Sequence, residues 1–262
     1  MEKGQLIARG RTSEVYTWGE DCILKRFHDW VPDAWITGED TYSRKIAATD
    51  IPVPDCLGLV EDEGRKGIVF QRLSGETYLV LLSKNLFKIN LYSAKMAEVH
   101  TKILGQKDVT LPSAKDRLHA MISALPNFST ELKAFCLQTL DELPDGNTIC
   151  HFDFHPDQIM QTDDGDFVID WSSVCKGDPC ADIARTSYLL TMSTVGHLPW
   201  FMRILINIMR KTMYRIYVRQ MQKLNPTIDF SMVEKWKIPV YAMCLDGNME
   251  EKNPFILPFL EK

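Results

Sequence analysis

The spacing of apolar and polar residues changes period near residue 75. Before it, QLIARG, EVYTWG and CILKRF are runs of strand length separated by the turn-forming stretches RTS and GED, which predicts an antiparallel meander. A helix from Glu39 to Ala48 should follow and stop ahead of IPVP, because a residue preceding proline is pushed out of the helical region. CLGLVED and KGIVFQRL flank the charged turn EDEGRK and complete a five-stranded sheet with one helix. From Thr77 onward YLVLLSKNLFKINLYSAKMAEVHTKIL, SAKDRLHAMISAL and Ser129 to Leu143 carry helical spacing. Only CHFDFHPDQIMQTDDGDFVID interrupts them with extended segments and a hairpin turn at DDGD. The pattern therefore predicts an α+β chain. Residues 1–75 form a β-rich lobe with an antiparallel sheet and one helix, joined through LSGE to a mainly helical lobe, 76–262. The interrupting stretch opens onto the cleft.

Composition narrows the function. A chain of 262 residues with 45% hydrophobic content buries one large core or two modest ones, and nothing in it signals disorder. A net charge of -5 removes the basic footprint of a nucleic-acid binder. The seven cysteines are scattered and never spaced as CxxC, so neither a disulfide framework nor a zinc site is indicated, which fits a reducing cytoplasm. MEKGQLIARG lacks the apolar core of a targeting segment. The run WFMRILINIMRKTMYRIYV is broken by Arg203, Arg210, Lys211 and Arg215, which predicts an amphipathic helix and no membrane span. No protein partner is evident.

The chemistry is concentrated in CHFDFHPDQIM (150–160) and FVIDW (167–171), where two histidines and several aspartates crowd together. HFDFHPDQ fits the pattern HxDxxxxN except at its last position, where Gln158 stands for asparagine. With IDW and GDPCADIA (177–184), it resembles the signature of the aminoglycoside phosphotransferase and choline kinase family, roughly HGDxHPGN, then IDW, then GDPxxDLA. The resemblance extends to ILKRF, IPVP, FQRLSGET and a helix ending in MAEVH.

It implies a two-lobed protein-kinase-like fold, ATP and Mg2+ as cofactors, and a small-molecule hydroxyl as acceptor. Asp153 would orient or accept the proton of the attacking hydroxyl, and His155 would lie nearer the acceptor while His151 braces the loop. Asp170 would supply a hard oxygen to magnesium, and Gln158 its amide oxygen to a second ion. Lys25 would reach the α- and β-phosphates and pair with Glu39, or else Asp40, of the following helix. In the turn GRTSEVY, Gly10 and Ser13 would cover the phosphates, although one glycine stands where protein kinases show three. Gln71 would meet the nucleotide at the hinge near Gln71 to Glu76. Asp178 and Asp182 would cap a helix and tie the loop down, and Cys150, Cys175 and Cys180 would pack. Asp246, Glu250 and Glu251 suit a cationic acceptor or simply a solvated tail. Three functions compete: a small-molecule kinase, a kinase-like nucleotide-binding protein that has lost transfer through Gln158, and a protein kinase. IDW in place of DFG, with no activation segment before GDP, counts against the last.

Overall fold

The computed structural model describes residues 2–126, 128–192 and 200–244. In chain order its main elements are β1 (Lys3–Arg9), β2 (Ser13–Trp18), β3 (Cys22–Phe27), α1 (Asp33–Ala47), β4 (Cys56–Asp62), β5 (Arg65–Gln71) and β6 (Gly75–Thr77). There follow α2 (Tyr78–Lys84), α3 (Ile89–Leu104), α4 (Ala114–Ala124), α5 (Thr130–Glu142), β7 (Thr148–Cys150), β8 (Ile159–Thr162), β9 (Gly165–Val168) and β10 (Cys175–Gly177). The last are α6 (Pro179–Thr191), α7 (Trp200–Leu224) and α8 (Phe230–Met243). By contacts the chain divides into two units, Met1–Leu81 with Pro156–Ser173, and Leu82–His155 with Val174–Lys262. The division thus falls at 81/82, where the sequence pattern puts it at 75/76, and 156–173 joins the first unit instead of the second. The segment expected as a hinge lies within the first unit: Gln71 ends β5, and Gly75 and Glu76 belong to β6, which pairs with β8.

In the first unit, the five strands that the hydrophobic pattern predicts form an antiparallel sheet, in the order β1-β2-β3-β5-β4. Strand alternation gives β3 two different faces. Cys22 and Leu24 pack with Val69, Tyr16, Trp18 and Val60 on one side, while Phe27 joins Ile68, Val31 and Ile36 on the other. Helix α1 begins at Asp33, ahead of the predicted start at Glu39, with Pro32 as the preceding residue whose fixed φ suits a helix entry. Its buried stripe is Ile36, Glu39, Ser43 and Ile46, spaced as one helical face. Glu39 is therefore a mid-helix residue held against the sheet, and the reading of it as a helix N-terminal acid is excluded. A second sheet, β6-β8-β9, carries the DDGD hairpin.

In the second unit α3 packs on α7, and α6 packs on both α7 and α8. The long helical run predicted after Thr77 is broken at Asn85, whose side chain accepts from the Phe87 amide and starts a short 3-10 turn before α3. Ser113, Ser129, Asp178 and Asp229 cap α4, α5, α6 and α8, each accepting a first-turn amide. Strands β7 and β10 pair antiparallel, with Cys150 opposite Cys175. All seven cysteines are free thiols. No described helix is long and apolar enough to cross a membrane.

Candidate active site

In the first unit, two periodicities meet at Lys25. It lies on β3 between Val15 and Ile68, on the face that also carries Phe27. Glu39 is one helical turn after Ile36, which packs into that same cluster, so strand and helix spacing together bring ammonium and carboxylate into contact. Lys25 Nζ lies 2.5 Å from Glu39 Oε1 and 3.0 Å from Asp170 Oδ1. Burial by itself would lower the Lys25 pKa, but the Asp170 and Glu39 carboxylates outweigh it and hold the group above its ordinary value. Burial raises Glu39, opposed by the Lys25 charge. Asp40, the alternative partner, bonds to Arg44 instead.

Asp170 is brought to the lysine by the backbone around it. The Val168 amide donates to the Pro52 carbonyl, the Ile169 amide to the Gln158 carbonyl, and the buried Trp171 indole to the Val168 carbonyl. These bonds hold Asp170 at φ 59°, a left-handed conformation that aspartate tolerates better than most residues. The Gln158 to Ile169 bond also sets Gln158 beside the Asp170 segment. Asp170 and Gln158 carry the hard side-chain oxygens that would suit magnesium, which takes few protein ligands.

The remaining first-unit candidates are less available. The Gly10 amide donates to the Ser13 carbonyl at 2.8 Å, and Ser13 is buried, so these two groups close a hairpin turn. The Gln71 amide and side-chain oxygen both bond to the backbone of Asp55.

In the second unit the loop after β7 is organised by Asp182. Its fully buried carboxylate accepts from the amides of His151 at 2.7 Å and Phe152 at 2.9 Å, and from His100 Nε2 at 3.1 Å. His100 Nδ1 lies 2.6 Å from the Tyr217 hydroxyl, which links α3 to α7. Burial alone would raise the Asp182 pKa, but His100, His151 and the Phe152 amide hold it below the ordinary carboxylate range. Phe152 takes φ 63°. His151 Nδ1 accepts from the Asp153 amide at 3.3 Å, the bracing role expected of it. His155 Nε2 is 3.9 Å from Asp153 Oδ2, and Arg185 Nη2 is 3.2 Å from Oδ1. Asp178 caps α6, whereas Asp182 serves the loop and not its own helix. Cys150 and Cys175 are fully buried and pack, and burial and the Cys175 contact push the Cys150 thiol well up.

Sequence reasoning missed Arg185, His100 and Tyr217. Arg185 was visible only as the residue one turn after Asp182 in ADIAR, and His100 as the last residue of MAEVH; nothing in the pattern around Tyr217 marks it. Asp246, Glu250 and Glu251 lie outside the described residues.

Comparison with known proteins follows this geometry. Residues 3–198 match the APH model, described as the phosphotransferase enzyme family. No curated protein sequence matches the chain. Among solved structures, a thermostable mutant of aminoglycoside phosphotransferase APH(4)-Ia, in ternary complex with ADP and hygromycin B, is 16% identical with a TM-score of 0.64, covering 97% of this chain and 90% of that one. An aminoglycoside-3'-phosphotransferase of type VIII is 13% identical with a TM-score of 0.63, covering 92% and 93%. APH(3'')-Id from Streptomyces rimosus is 14% identical with a TM-score of 0.58, covering 88% and 89%. These likenesses show the fold, the protein-kinase-like α+β arrangement that the sequence predicts.

Two variants test the charge clusters. Lys25→Ala leaves the Glu39 carboxyl buried without its cation, so it should cost about 3 kcal/mol of stability in urea unfolding, and adding Glu39→Gln should recover part of that loss. Unchanged stability of Lys25→Ala would contradict a Glu39 carboxylate that depends on this cation. Asp182→Asn keeps the shape but turns an amide donor toward loop N–H groups, and should cost about 3 kcal/mol at pH 7. Because the folded-state pKa of Asp182 is depressed, its contribution is complete above the unfolded value of about 3.9 and is lost as pH falls through the folded one. Unfolding midpoints of the two proteins should therefore converge below about pH 4; a gap that stays constant down to pH 2.5, roughly a unit and a half below that value, would contradict an ionised Asp182.

Proposed function

We propose, for a chain that belongs to the phosphotransferase enzyme family, that it transfers the γ-phosphoryl group of ATP to a hydroxyl of a small molecule of aminoglycoside, choline or sugar type. The observation that carries this reading is the Lys25 ammonium bonded at once to Glu39 and Asp170. Phosphoryl transfer asks a protein mainly to position the nucleotide and neutralise charge. Glu39 aims the Lys25 charge toward the α- and β-phosphates, and Asp170 with Gln158 would hold magnesium, which would supply positive charge to offset that of the phosphates.

In the second unit, Asp153 takes the proton of the acceptor hydroxyl. The hydroxyl oxygen bonds to the γ-phosphorus as the bond to the bridging oxygen breaks, and ADP leaves with that electron pair. Related structures hold ADP or AMP-PNP with hygromycin B, and ATP with streptomycin. They support a nucleotide and a hydroxylated acceptor here, with His155 on the acceptor side of Asp153. The net charge of -5 and the scattered free cysteines support a cytoplasmic enzyme acting on a dissolved metabolite.

A second reading, nucleotide binding with little or no transfer, is favoured by two observations. Gln158 stands where the family pattern has asparagine, and the Gly10 amide and the buried Ser13 are engaged in their own turn. ADP release from Mg-ATP, scored over a panel of hydroxylated metabolites and aminoglycosides, separates the two.

Asp153→Asn should lower kcat by roughly 10²- to 10⁴-fold with little change in the thermal shift given by Mg-ATP. Retained turnover would remove Asp153 as the base. Gln158→Asn should preserve or raise activity by restoring the shorter reach, while Gln158→Ala should raise the magnesium requirement and lower kcat. Unchanged magnesium dependence and rate in the alanine variant would show that Gln158 is no ligand.

A further inference from the structure

Asp153 is not oriented by its own loop alone. Arg185, on α6, donates from Nη2 to Asp153 Oδ1 at 3.2 Å and from Nε to the Phe152 carbonyl at 3.0 Å, and its Nη1 lies 2.8 Å from Cys244 Sγ at the end of α8. The guanidinium also stands over the Tyr188 ring, 5.7 Å from its centroid. A guanidinium is planar with donors in fixed directions, so three separate acceptors leave it one orientation. Phe152 is the unusual member of this set, an aromatic residue in the left-handed region. Such strain persists only where neighbouring bonds over-determine it. Here Asp182 takes the Phe152 amide and Arg185 takes its carbonyl, so the two α6 side chains hold the two peptide groups that flank Phe152.

We propose that Arg185 is a positioning residue for phosphoryl transfer: it occupies Asp153 Oδ1 and thereby presents Oδ2, the oxygen on the His155 side, to the proton of the acceptor hydroxyl. This rests on the reading of Asp153 as the base. An arginine that merely stapled helix to loop would stabilise the fold and leave the turnover of folded protein alone. One that orients the base acts on kcat.

The test uses the full chain with Mg-ATP, reading ADP release with water as acceptor and with any panel compound that gives turnover. Arg185→Ala should lower kcat about 100-fold while leaving KM for Mg-ATP within a factor of about 3. Millimolar methylguanidinium should restore part of that loss in Arg185→Ala and nothing in Asp153→Asn. Because the two residues act as one unit, adding Arg185→Ala to Asp153→Asn should cost little more. Wild-type kcat in a folded Arg185→Ala protein, or fully additive losses, would overturn the proposal. Arg185→Lys and Arg185→Gln give the same comparison should the alanine variant fail to fold, with lysine the more active of the two.

If the wild-type protein releases no more ADP than Asp153→Asn, the transfer reading fails by itself, and nucleotide-free hydrogen exchange then decides the positioning role. The amides of Phe152 and Asp153 should exchange at least about tenfold faster in Arg185→Ala, with α6 unchanged. Equal exchange in the two proteins would sink the inference.

Discussion

An ammonium group taken out of water must be matched by carboxylates close enough to offset its lost hydration, and that requirement governs the first unit. Lys25 can be buried on β3 only because α1 brings Glu39 down onto the sheet and the β9 end brings Asp170 up to it. The position of α1 follows from Ile36 and Ile46 packing with the sheet and the residues beyond it. The position of Asp170 follows from backbone bonds to Pro52 and Gln158. Removing any of these supports leaves a charge buried without its partner, so the sheet, helix and hairpin hold one another through a single cation.

The second unit solves the converse problem. Asp182 is a buried carboxylate, and its partners are two backbone amides and an imidazole, with no lysine or arginine at contact distance among them. His100 and His151, together with the loop amides, keep it ionised. What it stabilises is a backbone path: Phe152 sits in a conformation an aromatic residue avoids, and Asp153 follows directly. Of the three non-glycine residues at positive φ among the described residues, two are Phe152 and Asp170. Each is adjacent to, or is itself, a residue proposed to act in chemistry, as expected where a fold concentrates strain at its working positions.

The sequence disclosed most of this because local rules and tertiary structure agree over most of the chain. Strand alternation marked β1 to β5, and the resemblance ordered Lys25, Asp153 and Asp170 into roles. Where local rules and packing diverged, the reading slipped. Gly38 and Pro32 hide the first turns of α1, so its start was set at Glu39, and a mid-helix buried acid looked like an N-terminal one. Asn85 breaks a helix that apolar spacing alone would continue. Segment 156–173 follows Asp153 closely in sequence, yet β8 pairs with β6, and pairing, not adjacency, assigns it to the first unit. Arg185 and His100 were invisible for another reason: each acts through a partner far along the chain, and periodicity carries no information about such contacts.

The departures from the family pattern share a location. Lys25, Asp153, Asp170 and Asp182 stand where the resemblance places them, and Lys25 and Asp182 are also bonded within the fold. The unusual features are Gln158, at the end of a short 3-10 turn, and the glycine-poor turn at Gly10, a hairpin that closes with its own amide. On the proposed reading they bear on how firmly phosphate and metal would be held, and a longer ligand arm and a loop amide engaged in its own turn would both act toward a looser grip on the nucleotide. The Lys25 cluster proposed to meet the phosphates is meanwhile complete, so on that reading looseness enters through the metal and the covering loop. Magnesium dependence, more than nucleotide binding, is then the property in which this chain should differ from relatives that keep asparagine at the position of Gln158.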